Sequence, residues 1–468
     1  MCLQEFNLSF RRTMGRVLVH TTRRVAIVDR LWFYTKRCMR IGIVMLLCSV
    51  LGCRRPVAVP PFVTFLGAWW LQPDDQPQAE REFQEFTRKT GIAIQQSPIP
   101  NTLFSSLDPP AQLDLLRKVL HKGESAPDIL GIDVIWPASL ADDLVDLRPY
   151  LSSEISSQDS NLVANYTVQG KVVAIPFRTH VGVLAYRIDL LQRYGYSHPP
   201  KTWDELESMA ARIQAGERAR GRKNFWGYVW QGAATEGLTC NALEWQAAEG
   251  GGRVVEDDQS ISINNTHAVR AWERAAHWVG RISPPGVVSY RETDSLNVWN
   301  SGNAAFLRSW EWADHMARSG KSPMQQYTGL TSMPGDGRGQ VSALGGYGLA
   351  VPRSSAHLQE AIALIRFLLS MDLQGARVPA NQLPRHFENL PRVLQPPDPS
   401  GLRSQQIRLV SRPADLTGDR YQTVTEAYSQ AVHSVLTGQK TAPDAAAELE
   451  KRLVQVTGLR TAPPPARK

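Results

Sequence analysis

Apolar residues in this chain fall into short runs that alternate with helical stripes. Phe62-Val-Thr-Phe-Leu66 is a run suited to a buried strand. Residues 78–90 place Phe83 and Phe86 on one face, with charges between and Gly91 as a stop, and predict a helix. Ile92–Ile94 reads as a second strand. A helical stripe over 111–120 (Leu113, Leu116, Val119, Leu120) leads into the strand within Pro127-Asp-Ile-Leu-Gly-Ile-Asp-Val134. This β-α-β-α-β rhythm predicts a parallel sheet with helices on both faces. Ligands on such sheets bind beyond the carboxyl ends of strands. Asp133, near the end of its strand, is therefore the first candidate contact.

A second unit opens with the apolar stretches Val172–Pro176 and Val181–Tyr186. Pro199-Pro200-Lys-Thr-Trp-Asp-Glu205 is a helix start in which Thr202 can cap the amide of Glu205 and Glu205 can reach back. Trp203, Leu206, Met209 and Ile213 then share a face. Helical patterns recur at 236–249, 267–280, 357–370, 421–436 and 443–456. Glycines at 250–252 and 335–339 mark loops, and the Pro-rich end 461–468 reads as a disordered tail.

The amino-terminal segment has a different character. Ile41 to Leu51 is apolar behind Met39-Arg40. Its helix would span only about 16 Å, roughly half a bilayer's hydrocarbon core, which suits a signal-peptide core better than a membrane anchor. The run ends Val50-Leu51-Gly52-Cys53, which resembles the bacterial lipobox, whose Cys is acylated and becomes the first mature residue. Residues 1–52 are thus expected to be a signal segment, and 53–61 a lipid-anchored tether. The long, arginine-rich stretch 1–38 points to Met39 as the translation start.

That segment also explains the charge. Residues 1–52 hold nine Lys/Arg against Glu5 and Asp29, so they carry seven of the +8 formal charge and leave the body at +1. A nucleic-acid footprint would need a basic stripe on the body, and the sequence shows none. Cys2, Cys38 and Cys48 fall in the leader, leaving Cys53 and Cys240. No Cys-x-x-Cys or His pair at metal spacing occurs, so no metal and no cofactor are expected. Cys240 reads as a small buried apolar residue.

Several stretches, in order, resemble the extracellular solute-binding proteins of carbohydrate ABC importers. They are Pro127-Asp-Ile-Leu-Gly-Ile-Asp-Val-Ile-Trp136, Leu144-Val-Asp-Leu-Arg-Pro-Tyr-Leu151 and Gly170-Lys-Val-Val-Ala-Ile-Pro176. Val183-Leu-Ala-Tyr-Arg-Ile-Asp-Leu190, Pro200-Lys-Thr-Trp-Asp-Glu-Leu206 and Trp299-Asn-Ser-Gly-Asn-Ala-Ala-Phe306 follow, then Gly345-Gly-Tyr-Gly-Leu349 and Arg412-Pro413. Glu236-Gly-Leu-Thr-Cys-Asn-Ala-Leu-Glu-Trp245 is most similar to the trehalose/maltose-type subgroup. The resemblance implies an α/β, two-lobed periplasmic-binding-protein fold of type II, each lobe a mostly parallel sheet flanked by helices, with a sugar in the cleft. Residues 62–177 and 311–372 would form the first lobe, and 178–310 and 373–460 the second. Crossovers would lie near 176–180, 307–310 and 372–380.

Sugars present ringed hydroxyls and C–H faces; carboxylates and guanidinium groups take the first and aromatic rings cover the second. By resemblance, Asp133 and Glu236 are acidic contacts, Trp310 a stacking ring, Gly346-Tyr347 a backbone-and-ring pair, and Arg412 a late arginine reaching the ligand. Trp70 and His180 stand where contacts are plausible. Thr235 replaces a usual Tyr, Tyr347 a Trp, and His180 an acidic or amide residue. Trp136 and Trp203 read as core. The implied role is a monomeric, non-enzymatic receptor anchored in the cell envelope and facing the periplasm or exterior. It would deliver a carbohydrate, a disaccharide or small oligosaccharide, to ABC permease transmembrane subunits and their ATPase. The same residues fit a sugar-sensing envelope lipoprotein outside transport. Against an enzyme, Gly320-Lys-Ser322 resembles part of a phosphate loop but lacks the earlier glycine, and Pro323 would interrupt its helix. A glycosidase would need two facing carboxylates.

Overall fold

The strand of Ile175–Arg187 is 13 residues long, enough to serve two halves of one sheet. The computed structural model describes residues 61–67, 76–106, 109–122, 126–310, 323–336, 339–372 and 408–462. Its sheet strands are β1 (Phe62–Leu66), β2 (Ala93–Gln96), β3 (Ile129–Asp133), β4 (Ile175–Arg187), β5 (Trp226–Val229), β6 (Ala304–Trp310), β7 (Thr328–Ser332), β8 (Val341–Ala350) and β9 (Arg408–Val410). Their spatial order is β2-β1-β3-β8-β4-β6-β5, with β7 also on β4 and β9 also on β8.

The predicted opening rhythm is present. Helices α1 (Gln76–Thr90) and α2 (Pro109–Lys122) connect strands that pair in parallel, β1 with both β2 and β3. β5 and β6 are likewise parallel. The strands that pass between the halves differ: β8 runs antiparallel to β3 and to β4, and β4 runs antiparallel to β6. The ladders at the two ends of the sheet are parallel and those joining β3, β8, β4 and β6 are antiparallel; β7 adds to β4 antiparallel and β9 to β8 in parallel.

Alternation along each strand builds a core on both faces. In the first half, Val63, Phe65 and Ile129 pack with Phe86 and Leu349, while Leu66, Leu130 and Ile132 pack with Leu116 and Trp136 on the opposite face. In the second half, Leu184 and Tyr228 join Trp203, Trp230, Trp245 and Trp278, and Val183, Ala185 and Leu307 form the other face. Trp136 and Trp203 are thus core residues, as their surroundings in sequence suggest, and Cys240 is buried in the same second-half core as Trp203.

One boundary differs from expectation. β7 pairs with Val183–Arg187 of β4, and Met333, Val341 and Ala343 pack in the second half. β8 covers only the Ile175–Val181 part of that β4 edge, so the rest is open to another strand, and β7 fills it. Residues 323–336 and 339–344 therefore sit with the second half, and the chain returns to the first at Gly345–Tyr347.

Helices α3 (Trp203–Ala219), α4 (Glu236–Ala248), α5 (Thr266–Trp278), α6 (Leu358–Asp372), α7 (Tyr421–Leu436) and α8 (Ala442–Thr457) follow the apolar stripes closely. At the start of α3, Thr202 Oγ1 accepts from the Glu205 amide at 3.2 Å. The Glu205 carboxylate accepts from Lys201 at 2.7 Å, one residue earlier than a capping box requires. The expected signal segment, Cys53 with most of its tether, Trp70, the 373–380 crossover and residues 463–468 lie outside the described residues.

The Trp278 ring lies 5.5–5.7 Å from those of Trp203, Tyr228 and Trp245. Trp278→Ala should lower unfolding stability by about 3–5 kcal/mol, the usual loss for a large core aromatic. Urea denaturation checks this, and an unchanged midpoint would show that the second half does not rest on this cluster.

Candidate functional site

Asp133 ends β3, where the chain must turn away from the sheet. Its Oδ1 accepts the Ile135 amide at 3.2 Å, which fixes that turn, and the same oxygen accepts from Arg412 Nη2 at 3.2 Å. A structural role and a charged contact therefore coexist on one carboxylate. Glu236 opens α4 in the second half, where the helix dipole favours a negative charge. Arg412, two residues beyond β9, sends Nη1 to Glu236 Oε1 at 3.0 Å. One guanidinium thus joins a carboxylate of each half, with its own side chain only 4% exposed.

Two further side chains complete Glu236. Tyr421 donates its hydroxyl to Oε1, and Thr425, one turn later on α7, donates to Oε2 at 2.8 Å. Sequence reading predicted this helix but not these contacts. The usable signal was the spacing of two hydroxyl residues on the face that enters the core.

The β8 register sets Tyr347 directly opposite Asp133. Gly346 beside it has φ +126°, and an added Cβ would come within 2.1 Å of the Arg178 carbonyl. Only glycine allows this approach. The Gly346 carbonyl accepts from the Val134 amide at 3.0 Å, tying β8 to the turn that carries Asp133. His180 meets the Tyr347 ring edge-on, with centroids 5.8 Å apart. Across Gly345 lies Trp310, whose ring would be 3.0 Å from a Cβ at that glycine. The structure therefore gathers Asp133, Glu236 and Arg412 in direct contact, puts Tyr347 and His180 beside them, and sets Trp310 behind Gly345.

Burial pushes the Asp133 carboxyl above the ordinary carboxylate range, with Arg412 pulling in the opposite direction. Burial also raises the phenols of Tyr347 and Tyr421, reinforced by Asp133 and by Glu236 respectively. Both phenols are neutral hydroxyls at neutral pH. Val134, Asn165 and Asp415, which lie around Arg412, also line a groove of about 620 Å³. Asn165, Thr167, Gln169 and Asp419 line that groove. Charged acceptors, a guanidinium, phenols and an indole together suit a hydroxyl-rich ligand.

A family model of the bacterial extracellular solute-binding protein matches residues 71–375. The chain belongs to that family. A probable ABC transporter-binding protein of Deinococcus radiodurans is 38% identical over 380 residues, which are 80% of this chain and 89% of that protein. A mannitol-binding protein of Pseudomonas aeruginosa is 25% identical over 197 residues, 40% of this chain and 43% of its own length. Among solved structures, maltose-bound MalE3 of T. maritima has a TM-score of 0.70 at 28% identity and covers 84% of this chain and 99% of its own. The GacH receptor of Streptomyces glaucescens, at 18% identity and TM-score 0.67 over 86% of this chain and 99% of its own, shares the fold. This solute-binding protein accordingly has the two-lobed architecture of its relatives, with the Asp133–Arg412–Glu236 contact running between the sheet halves.

Arg412→Ala should destabilise the protein by about 3 kcal/mol, because two largely buried carboxylates then face each other without a cation. Asp133→Asn added to that variant should recover part of the loss. Denaturant melts of the single and double variants measure both, and equal midpoints for wild type and Arg412→Ala would refute the assignment.

Proposed function

We propose that this chain is the lipid-anchored receptor of an ABC importer, taking a disaccharide or small oligosaccharide between its lobes and passing it to the permease. The observation that carries this reading is the polar contact from both halves, Asp133 with Arg412 and Glu236, with Tyr347 opposite Asp133 and Trp310 across Gly345, two residues from Tyr347. Sugar hydroxyls can exchange with the guanidinium for these carboxylates, and ring faces can lie on the aromatics. Ligand contacts reaching both lobes favour the closed state in proportion to that difference in affinity. The groove beside Arg412 gives a longer chain somewhere to extend. The maltose in T. maritima MalE3 supports a cyclic sugar. A guanidinium between the two carboxylates also favours holding a ligand over cleaving a glycosidic bond.

On this reading lobe I comprises 62–177 with 345–372, and lobe II comprises 178–310 and 373–460 together with 323–336 and 339–344. Cys53 carries the lipid. The mature protein works as a monomer with the permease and its ATPase. A linear polyol is the second reading, favoured by the mannitol-binding relative.

A thermal-shift screen with maltose, trehalose, maltotriose, mannitol and ribitol decides between them. A ligand at about a hundred times its Kd adds roughly 2.7 kcal/mol of stability. A shift from a disaccharide or trisaccharide is expected; a shift from mannitol alone would favour the polyol, and none from any would overturn both. By calorimetry Asp133→Asn should weaken the bound sugar about tenfold or more, near 1.4 kcal/mol. Protonation removes the charged acceptor, and burial raises this carboxyl. Wild-type affinity should therefore begin to fall, as pH is lowered, above the ordinary Asp range near ~4, while Asp133→Asn shows no such limb. Lipid attachment is read separately: labelled fatty acid should enter the wild type and be lost in Cys53→Ser, and label retained in that variant would remove the anchor.

A further inference from the structure

Beneath the aromatic wall lies a second ion pair that the ligand site does not use. Arg308 donates Nε and Nη2 to Glu244 at 3.1 and 2.7 Å, and both side chains are fully buried. Glu244 Oε1 also accepts the Ala343 amide of β8 at 3.1 Å. The pair fills the space over Gly182, where a side chain would collide: a Cβ there would lie 1.9 Å from Glu244 Oε1 and 2.9 Å from Arg308 Nη2. A sealed ion pair is seldom more stabilising than an apolar pair of the same volume, so its presence asks for another reason.

That reason is on the same strand. Arg308 and Trp310 are two apart on β6 and share a face. The guanidinium carbon stands 4.2 Å from the Trp310 ring centroid, a cation–π stack. Nη1 of Arg308 has no hydrogen-bond partner among the described residues, which leaves the electron-rich indole as its compensation. The six-membered edge of the indole lies close over Gly345. The ring is therefore held between a fixed cation and a bare backbone. Glu244, which fixes the cation, lies two turns along the helix that begins with Glu236.

We infer that Glu244 and Arg308 are positioning residues that set the Trp310 ring for the ligand. In its effect on binding this rests on the reading of Trp310 as a sugar-stacking face. Because α4 carries both Glu236 and Glu244, one helix places a polar contact and, through Arg308, the aromatic one.

The test uses Arg308→Met and, in case an uncompensated Glu244 prevents folding, the neutral double variant Glu244→Gln/Arg308→Met, which keeps an oxygen for Ala343. Protein labelled with fluorotryptophan is read by 19F NMR, the Trp310 resonance being the one missing from Trp310→Phe. The Trp310 line should shift or broaden in the variants while those of Trp203 and Trp278 stay put; an unchanged Trp310 line overturns the proposal. Calorimetry with maltose, and with trehalose, then asks for coupling. The loss of Arg308 should weaken binding at least tenfold with Trp310 present and have no effect on affinity in a Trp310→Ala background. Equal losses in both backgrounds would mean that Arg308 acts through the fold and would overturn the proposal. If the wild type binds neither sugar, the functional reading fails for them, and the NMR result alone decides the positioning.

Discussion

The guanidinium of Arg412 sits between a carboxylate on each half of the sheet, and the rest of the arrangement follows from keeping it there. Removing a charge from water is costly unless partners replace the solvent. Arg412 meets that demand through Asp133 and Glu236, and Glu236 meets its own through Tyr421 and Thr425. Apart from Thr425, one turn into α7, each partner is placed by the end of an element rather than by its middle. β3 stops at Asp133, α4 starts at Glu236, α7 starts at Tyr421, and Arg412 follows β9. Element ends carry the unmatched backbone groups and dipoles, so charges gather there at the least cost.

This contact between halves is possible because two strands, β4 and β8, belong to both. Their meeting point is where side chains have been removed. At Gly346 the backbones approach too closely for any Cβ, and at Gly345 the vacated space is taken by Trp310. The bulge between Tyr347 and Gly348 falls beside the register position of Asp133, so the irregularity re-aims an aromatic at the charged contact. Close backbone approach and aromatic placement are one constraint here.

Much of this was legible in the sequence, and the reasons differ by element. Helices with an apolar stripe, such as α5 and α7, declare themselves because burial imposes their period. β1 and β3 declare themselves as short apolar runs. The residues Asp133, Glu236 and Arg412 were singled out by resemblance and chemistry, but their mutual contact was not, since residues 176 and 279 positions apart leave no local trace. Tyr421 and Thr425 were missed because a hydroxyl on a helix face looks the same whether it meets solvent or a buried carboxylate. The placement of β7 was missed because it depends on which edge of β4 stays open, a property of the assembled sheet. The pair of Glu244 and Arg308 hid inside stretches read for other features: Glu244 is the second acid of a helix already singled out for Glu236, and Arg308 lies within an apolar strand.

The two charged groupings differ in a way that assigns them different work. The carboxylates around Arg412 retain 14% and 11% side-chain exposure, whereas Glu244 and Arg308 retain none. A hydrogen bond at a partly open edge can be exchanged for one to an entering hydroxyl at little net cost, because a partner is lost and a partner is gained. A sealed pair has no incoming partner, and separating it would strand a charge. The first grouping can therefore respond to a ligand, while the second can only hold its neighbours in place. Both are hung from α4, so a ligand that draws on Glu236 acts on the helix that also steadies the aromatic wall.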